Sequence, residues 1–409
     1  MKKYVIIGNG VAAAGCVEGI RSADPGGQIT IVSAEHHPVY CRPLISYYLE
    51  CKTDLGRIGY RPADFYDANG CTVHYGCAVR LDPAAKTVAL DDGTVLPYDA
   101  VCVAAGSSPF VPPMAGLEDV PAQFGFLTLD DALALERAIT PESRVLIVGA
   151  GLIGLKCAEG LHGRVASITV CDLADRVLSS ILDPDGASVV QRHLESHGLS
   201  FLLGDSVARF EPHTAHMKSG ASVPFDVLVL AVGVRANTAL VRDAGGACGR
   251  GITIDACAQT SLPGVYAAGD CTESADAVDG QIKVMALLPN AYMQGHCAGV
   301  NMAGGVERFD QAIPMNAIGF FGLHLMTAGS RTGDVVESRS DAYLKKLYVA
   351  DGRLVGFELI GDVARAGIYT ALIRNRTPLS DIDFELMQQH PTLAAMSAAY
   401  RKRTLAAAT

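Results

Sequence analysis

Two glycine-rich stretches, each followed by a carboxylate, are the residues of this chain whose types and spacing most directly imply chemistry. The first is Gly8-Asn9-Gly10-Val11-Ala12-Ala13, with Glu35 downstream; the second is Gly149-Ala150-Gly151-Leu152-Ile153-Gly154, with Asp172 downstream. In such a stretch the first glycine makes a tight turn. The second lets backbone N–H groups approach a pyrophosphate, and the small third residue (Ala13 or Gly154) lets a helix pack closely on its strand. The carboxylate, roughly 20 residues on, accepts hydrogen bonds from ribose hydroxyls. A lone Gly-x-Gly-x-x-Ala is only a glycine-rich turn, so the flanking elements carry the argument.

Those elements have the required order. Tyr4-Val5-Ile6-Ile7 reads as a strand ahead of the first turn, a helix follows, and Ile29-Thr30-Ile31-Val32 is the strand that delivers Glu35. The helix N-terminus turns its positive end toward a phosphate. Val145-Leu146-Ile147-Val148 and Ser167-Ile168-Thr169-Val170-Cys171 repeat the pattern around the second turn and close on Asp172. Two units imply two dinucleotides. A carboxylate at Asp172 repels a 2′-phosphate, which favours NADH over NADPH there, although Arg176 lies close in sequence. Ala100–Pro109 is a strand ending in small residues that include Ala105, Gly106 and Ser107. Phe225–Asn237, with Gly233, is its second copy, and Pro263–Asp270 is a short strand ending in Gly269-Asp270.

Composition bounds the rest. With 409 residues, 49% apolar and 19% charged, the chain has room for several domains and a large core, which excludes disorder as its main state. The net charge of −10 argues against nucleic acid as the main partner. No apolar run reaches the roughly 18–20 residues of a spanning helix, and Met1-Lys2-Lys3 runs into a strand with no signal-peptide pattern. None of the 12 cysteines has Cys-x2-Cys spacing, so a metal or iron–sulfur set is not expected. Reduced thiols in a cytoplasmic protein are the simplest reading. His36-His37 reads as a surface pair.

Together these motifs resemble the two-dinucleotide-binding-domain flavoproteins of the pyridine nucleotide-disulfide oxidoreductase superfamily, over essentially the whole chain. Tyr40-Cys41-Arg42-Pro43-Leu44-Ile45-Ser46 is similar to a stretch of rubredoxin reductases, oxygenase-type ferredoxin reductases and the N-terminal half of NAD(P)H nitrite reductase large subunits. So are Ala291–Gly295, Asn301–Gly304 and Gly356–Asp362. The resemblance implies an α/β fold with two Rossmann-like parallel-sheet domains. An FAD domain (1–110 and 237–307) would be split by an NAD(H) domain (115–236), followed by a small C-terminal α/β interface domain (308–384) and a helical tail (385–409). It implies FAD on Gly8, Gly10, Val11, Ala12, Ala13, Glu35, Arg42, Pro43, Val79, Ala105, Gly106, Ser107, Gly269, Asp270 and Asn290. Gly149, Gly151, Leu152, Ile153, Gly154, Asp172 and Gly233 would hold NAD.

Departures from the family pattern narrow the chemistry. Disulfide reductases carry Cys-x4-Cys beside the flavin, and here Cys16, Cys41, Cys51, Cys71 and Cys77 do not fit it. His390-Pro391-Thr392 resembles their catalytic base but has no dithiol to serve, and reads as a helix-start turn. Where relatives often pair a lysine with a glutamate across the flavin and nicotinamide, this chain has Tyr47 and Lys156. Lys156 is expected near the nicotinamide and flavin N5, stabilising the anionic reduced flavin; the plainer reading is a solvated helix lysine. The expected function is electron transfer between NAD(H) and a rubredoxin, ferredoxin or iron–sulfur subunit. Such a protein can be part of a larger complex, for instance a tungsten or molybdenum aldehyde oxidoreductase. The tail residues Leu386, Met387, Leu393, Met396 and Tyr400, with Arg401-Lys402-Arg403, are a candidate docking element. The alternatives are an oxidase or thiol enzyme using Cys41, an NADH-sensing flavoprotein and, more weakly, a membrane quinone reductase. Neither the acceptor nor the direction of electron flow is written in the motifs.

Overall fold

A computed structural model describes residues 1–340 and 342–406. The chain divides into two compact units. The first comprises Met1–Val177, Gly198–Ala275 and Gln281–Ala312; the second comprises Leu178–His197, Asp276–Gly280 and the segment from Ile313 onward.

Two parallel sheets form the first unit. One has the order Val265–Ala267, Ala100–Val103, Lys3–Ile7, Gln28–Ser33, Cys71–Tyr75. The other has the order Ser200–Leu203, Ser167–Asp172, Arg144–Val148, Val227–Leu230, Gln123–Phe124. Their central strands, Lys3–Ile7, Ala100–Val103, Arg144–Val148 and Val227–Leu230, are short apolar runs buried nearly throughout, as parallel strands covered on both faces are. The duplication runs deeper than the glycine turns. Each sheet has an antiparallel three-stranded meander inserted before the strand that returns beside the glycine strand: Ala78–Asp82, Thr87–Leu90 and Val95–Pro97 in the first copy, Val207–Glu211, Thr214–Met217 and Ser222–Pro224 in the second. The connecting strands Ser107–Pro109 and Val234–Ala236 pair antiparallel, so the two crossings between the halves run side by side.

Helix Val11–Ala23 lies against helix Leu288–Met302, and glycines set the distance. An added Cβ at Gly15 would meet Tyr292 O at 2.3 Å, at Gly19 His296 O at 2.2 Å, at Gly295 Ala12 O at 2.0 Å, and at Gly299 Cys16 O at 2.1 Å. The backbones touch because no side chain separates them. Cys16, Cys102, Cys157, Cys171, Cys271 and Cys297 are buried as small apolar groups, and all twelve cysteines are free.

The second unit is built on a five-stranded antiparallel sheet in the order Met315–Phe320, Leu323–Gly329, Arg353–Ile360, Leu344–Ala350, Asp334–Arg339. Helix Pro184–Ser196 belongs to this unit, although in the chain it lies between two strands of the second parallel sheet. The tail forms helix Phe384–Gln389, a 3-10 turn at Leu393–Ala395 and helix Ala398–Ala406. Met387 and Met396 are part of the unit's core, with Leu386 and Tyr400 packed against it. The apolar residues expected to dock a partner are therefore used by the chain's own core. Arg401 and Lys402 are exposed, while the side chains of Leu393 and Arg403, and residues 407–409, lie outside the described residues.

Candidate functional site

The two glycine turns have matching geometry. Gly8 has φ +114°, and a Cβ there would fall 2.1 Å from Ala104 O; Gly149 has φ +119°, and a Cβ there would fall 2.2 Å from Ala231 O. Only glycine fits a left-handed turn pressed against the neighbouring strand's end. Gly10 and Gly151, by contrast, have nothing within 4 Å of an added Cβ. These positions face open space, which is what close approach of a phosphate requires. Each is the N-cap of its helix, Val11–Ala23 or Leu152–Leu161, and neither helix has a side-chain cap or an acid in its first turn. The first intrahelical bonds are Ala14 N–H to Gly10 O at 3.1 Å and Leu155 N–H to Gly151 O at 3.0 Å. The preceding N–H groups point out of the helix end with its positive dipole. Elsewhere in the chain, helix Leu129–Ala138 starts with a Thr128–Asp131 capping box and helix Pro184–Ser196 with an Asp183 cap. The two glycine helices thus keep donors that those two helices satisfy internally, and this donor set fits a pyrophosphate.

Around the first turn the structure gathers most of the expected residues. Ala104 and Ala105 border Gly8, and Gly269, at φ +82°, lies 3.0 Å from the Ala12 Cβ by its own added Cβ. Asp270 follows Gly269. Burial pushes its carboxyl up, and the Arg42 cation opposes that shift. Arg42 donates to Glu35 and to Leu127 O (3.0 Å), and the Tyr40 hydroxyl donates to Glu35 at 2.6 Å. A carboxylate accepts about four hydrogen bonds, so Glu35 keeps capacity for ribose hydroxyls. Pro43 caps the short helix Leu44–Leu49. Asn290 is buried near the start of helix Leu288–Met302, which also lacks a side-chain cap. Val79 stands apart: it sits at an irregularity in the edge meander with its side chain 58% exposed.

At the second turn, Asp172 accepts from Ala150 N–H at 2.6 Å and from Ala174 N–H at 2.7 Å. The acid expected to repel a 2′-phosphate braces the turn. Arg176 pairs with Asp175 at 2.7 Å. Leu152, Ile153 and Gly154 open the helix, and Gly154 lies against Gly149 O, where a Cβ would come within 2.0 Å. Lys156 is not the solvated lysine of the plainer reading. Its side chain is 15% exposed, its ammonium is paired with the buried Glu159, and it lies 4.8 Å from the centre of the Tyr47 ring. Tyr47 and Lys156 are thus brought together, as their family positions suggest, but the cation carries a neighbouring anion that the motif comparison did not bring out. The pair is close to neutral, which weakens its field at a distance.

Several residues in the site were not assigned a role from the sequence. Asn9, inside the first turn, donates to His37 O at 3.2 Å and accepts from the Tyr66 hydroxyl at 2.9 Å, tying the turn to the loop behind it. Gln294 accepts from Gly269 N–H at 2.9 Å. Tyr40 also accepts from Leu129 N–H at 2.9 Å. Asn9, Gln294 and Tyr40 each stand in one of the motifs described above, but their contacts are made across long stretches of chain.

The thiol and histidine candidates fare differently. Cys41 is half-buried, and burial pushes its thiol up, so it carries less thiolate near neutrality than an exposed cysteine. His36 stacks on Tyr75 with ring centroids 4.9 Å apart, and His37 bonds Asp130 at 2.8 Å. His390 ends helix Phe384–Gln389, and the turn it begins leads into the 3-10 turn at Leu393–Ala395. Among the described residues no group of three or more His, Cys, Asp or Glu is arranged to hold a metal, and no helix is long and apolar enough to cross a membrane.

Comparison with known proteins agrees with this geometry. The sequence profile of the pyridine nucleotide-disulphide oxidoreductase family matches residues 2–295. The chain is 32% identical over 395 residues to the NADH-dependent phenylglyoxylate dehydrogenase subunit epsilon of Aromatoleum evansii, covering 93% of each chain. It is 31% identical over 375 residues to the assimilatory nitrate reductase electron transfer subunit of Bacillus subtilis (strain 168), covering 88% of this chain but 48% of that protein, so it spans about half of that relative's length. The fold is that of the reductase in a covalent putidaredoxin reductase–putidaredoxin complex, with a TM-score of 0.88 at 23% identity over 94% of this chain and 95% of that one. The chain therefore belongs to the pyridine nucleotide-disulphide oxidoreductase family, whose members are FAD-dependent, NAD(P)H-linked oxidoreductases.

Proposed function

We propose that this protein transfers electrons between NAD(H) and a redox protein, an iron–sulfur subunit or a rubredoxin- or ferredoxin-type carrier, as the FAD- and NAD-bearing subunit of a larger redox complex. The observation that carries this reading is that one chain holds two uncapped glycine helix ends, each followed by a carboxylate, while burial pushes its candidate thiol up. Segments 1–110 and 237–307 bind FAD, 115–236 bind NAD(H), and 308–384 with the tail form the interface part. The first glycine turn and Arg42 hold the FAD phosphates, Glu35 its ribose, and Asp270 its ribityl or pyrophosphate end. The second turn holds the NADH phosphates, and Asp172 selects against a 2′-phosphate. Lys156, steadied by Glu159 and the Tyr47 ring, lies beside the nicotinamide. Bound FAD supplies the chemistry: it accepts a hydride from NADH and releases electrons to a partner. The end-to-end similarity to a subunit of an NADH-dependent dehydrogenase supports the complex over a free-standing oxidase.

Anaerobic stopped-flow mixing tests this. NADH should bleach the flavin much faster than NADPH, and an iron–sulfur carrier should reoxidise it faster than oxygen does. Reoxidation by oxygen as fast as any carrier would favour the oxidase reading.

A further inference from the structure

We propose that Gln294 is the positioning residue that sets the Asp270 carboxylate for FAD, registering the Gly269-Asp270 turn on helix Leu288–Met302. The proposal rests on the reading that Asp270 belongs to the FAD site. Gln294 is 4% exposed, an unusual place for an amide unless it is bonded. Its Oε1 accepts from Gly269 N–H at 2.9 Å and lies 3.1 Å from the Thr272 hydroxyl. A backbone N–H can only donate, so the amide oxygen must face the turn, which fixes the side chain's orientation. The amide nitrogen is 3.4 Å from Ser274 Oγ, on the strand leaving the turn.

The turn it holds is packed from two sides. Gly269 adopts φ +82°, a conformation its neighbours must impose, and an added Cβ there would meet Ala12 at 3.0 Å and Ala291 at 3.5 Å. The turn is thus gripped between the first glycine helix and helix Leu288–Met302. Thr272 closes it internally, its hydroxyl donating to Gly269 O at 2.7 Å. Asp270 and Cys271 lie between the two residues that Gln294 touches, so the position of Asp270 follows theirs. Asn290 lies one turn earlier on the same face of the helix and is also buried. Gly295 presses the same helix onto Ala12. One helix thereby sets both the phosphate helix and the Asp270 turn, with Gln294 as the polar joint of the second contact.

The test is a double-mutant cycle with Gln294→Met and Asp270→Asn, read by FAD dissociation constant, visible circular dichroism of the bound flavin and thermal melting of the apoprotein. Gln294→Met leaves a buried N–H unpaired and should weaken FAD about tenfold with an altered flavin dichroism. Because Gln294 acts through Asp270, the double variant should bind FAD no more weakly than Asp270→Asn alone. Additive losses would overturn the proposal, as would Gln294→Met binding FAD like the wild type while Asp270→Asn does not. If Asp270→Asn itself leaves FAD binding unchanged, the placing of Asp270 in the FAD site falls, and the proposal with it. Should Gln294→Met fail to fold, Thr272→Val keeps the shape and removes the hydroxyl donor. It should weaken FAD about threefold, and an unchanged affinity would overturn the proposal.

Discussion

At the scale of single residues, two buried charges make distinct predictions. Glu358 is fully buried on strand Arg353–Ile360, its Oε1 has no hydrogen-bond partner, and burial together with Asp183 pushes its carboxyl up to about 7, against the opposing Lys346 and Arg331 cations. An unfolded glutamate titrates near 4.3, so the folded state holds a proton that the unfolded state has already lost between about pH 4.3 and 7. The associated stability is present in full below that window and is lost as pH rises through it, by ~4 kcal/mol at most. Glu358→Gln removes the titration. Its melting temperature should vary less than wild type's between pH 5 and 8 and exceed it at pH 8; parallel pH profiles would refute this. The second pair is Lys156–Glu159. Lys156→Met alone takes the ammonium away from the buried Glu159 carboxylate and should cost about 1–3 kcal/mol in denaturant unfolding, whereas Lys156→Met with Glu159→Gln should recover much of it. Only after that separation does slower flavin reduction by NADH report on the ammonium itself.

At the scale of elements, the glycines fall into two physical classes that one substitution tells apart. Gly10→Ala and Gly151→Ala place a methyl in open space, so unfolding free energies should change by less than about 1 kcal/mol. Each methyl nevertheless stands where a phosphate must approach. Gly10→Ala should lose FAD, and Gly151→Ala should keep FAD but raise the NADH dissociation constant at least tenfold, both measured by flavin content and titration. The reverse pattern would exchange the two cofactor assignments. Gly295→Ala drives its methyl into a backbone oxygen and must push two helices apart, so it should destabilise the apoprotein by ~2 kcal/mol or more in a thermal melt.

At the scale of the whole molecule, the tail is the clearest point. Met387 and Met396 complete the second unit's core, so truncation before Phe384 should lower that unit's melting transition by several degrees. An unchanged melt would restore the tail as a free docking arm. By itself the sequence determined the parts whose information is local. Glycine spacing, strand periodicity and the two ribose acids announced both nucleotide turns, because a pyrophosphate turn needs particular residues at fixed short offsets and tolerates few others. Cysteine spacing argued against a dithiol for the same reason. What only the tertiary structure decided are contacts between residues far apart in the chain: the grip of Gln294 on the Asp270 turn, the four-glycine approach of two helices, and the docking of Tyr40 and Arg42 on the start of helix Leu129–Ala138. Helix Pro184–Ser196 shows why. Nothing in its own residues says which sheet it joins; the complementary face, with buried Lys346 and Glu358, is built by strands more than a hundred residues later.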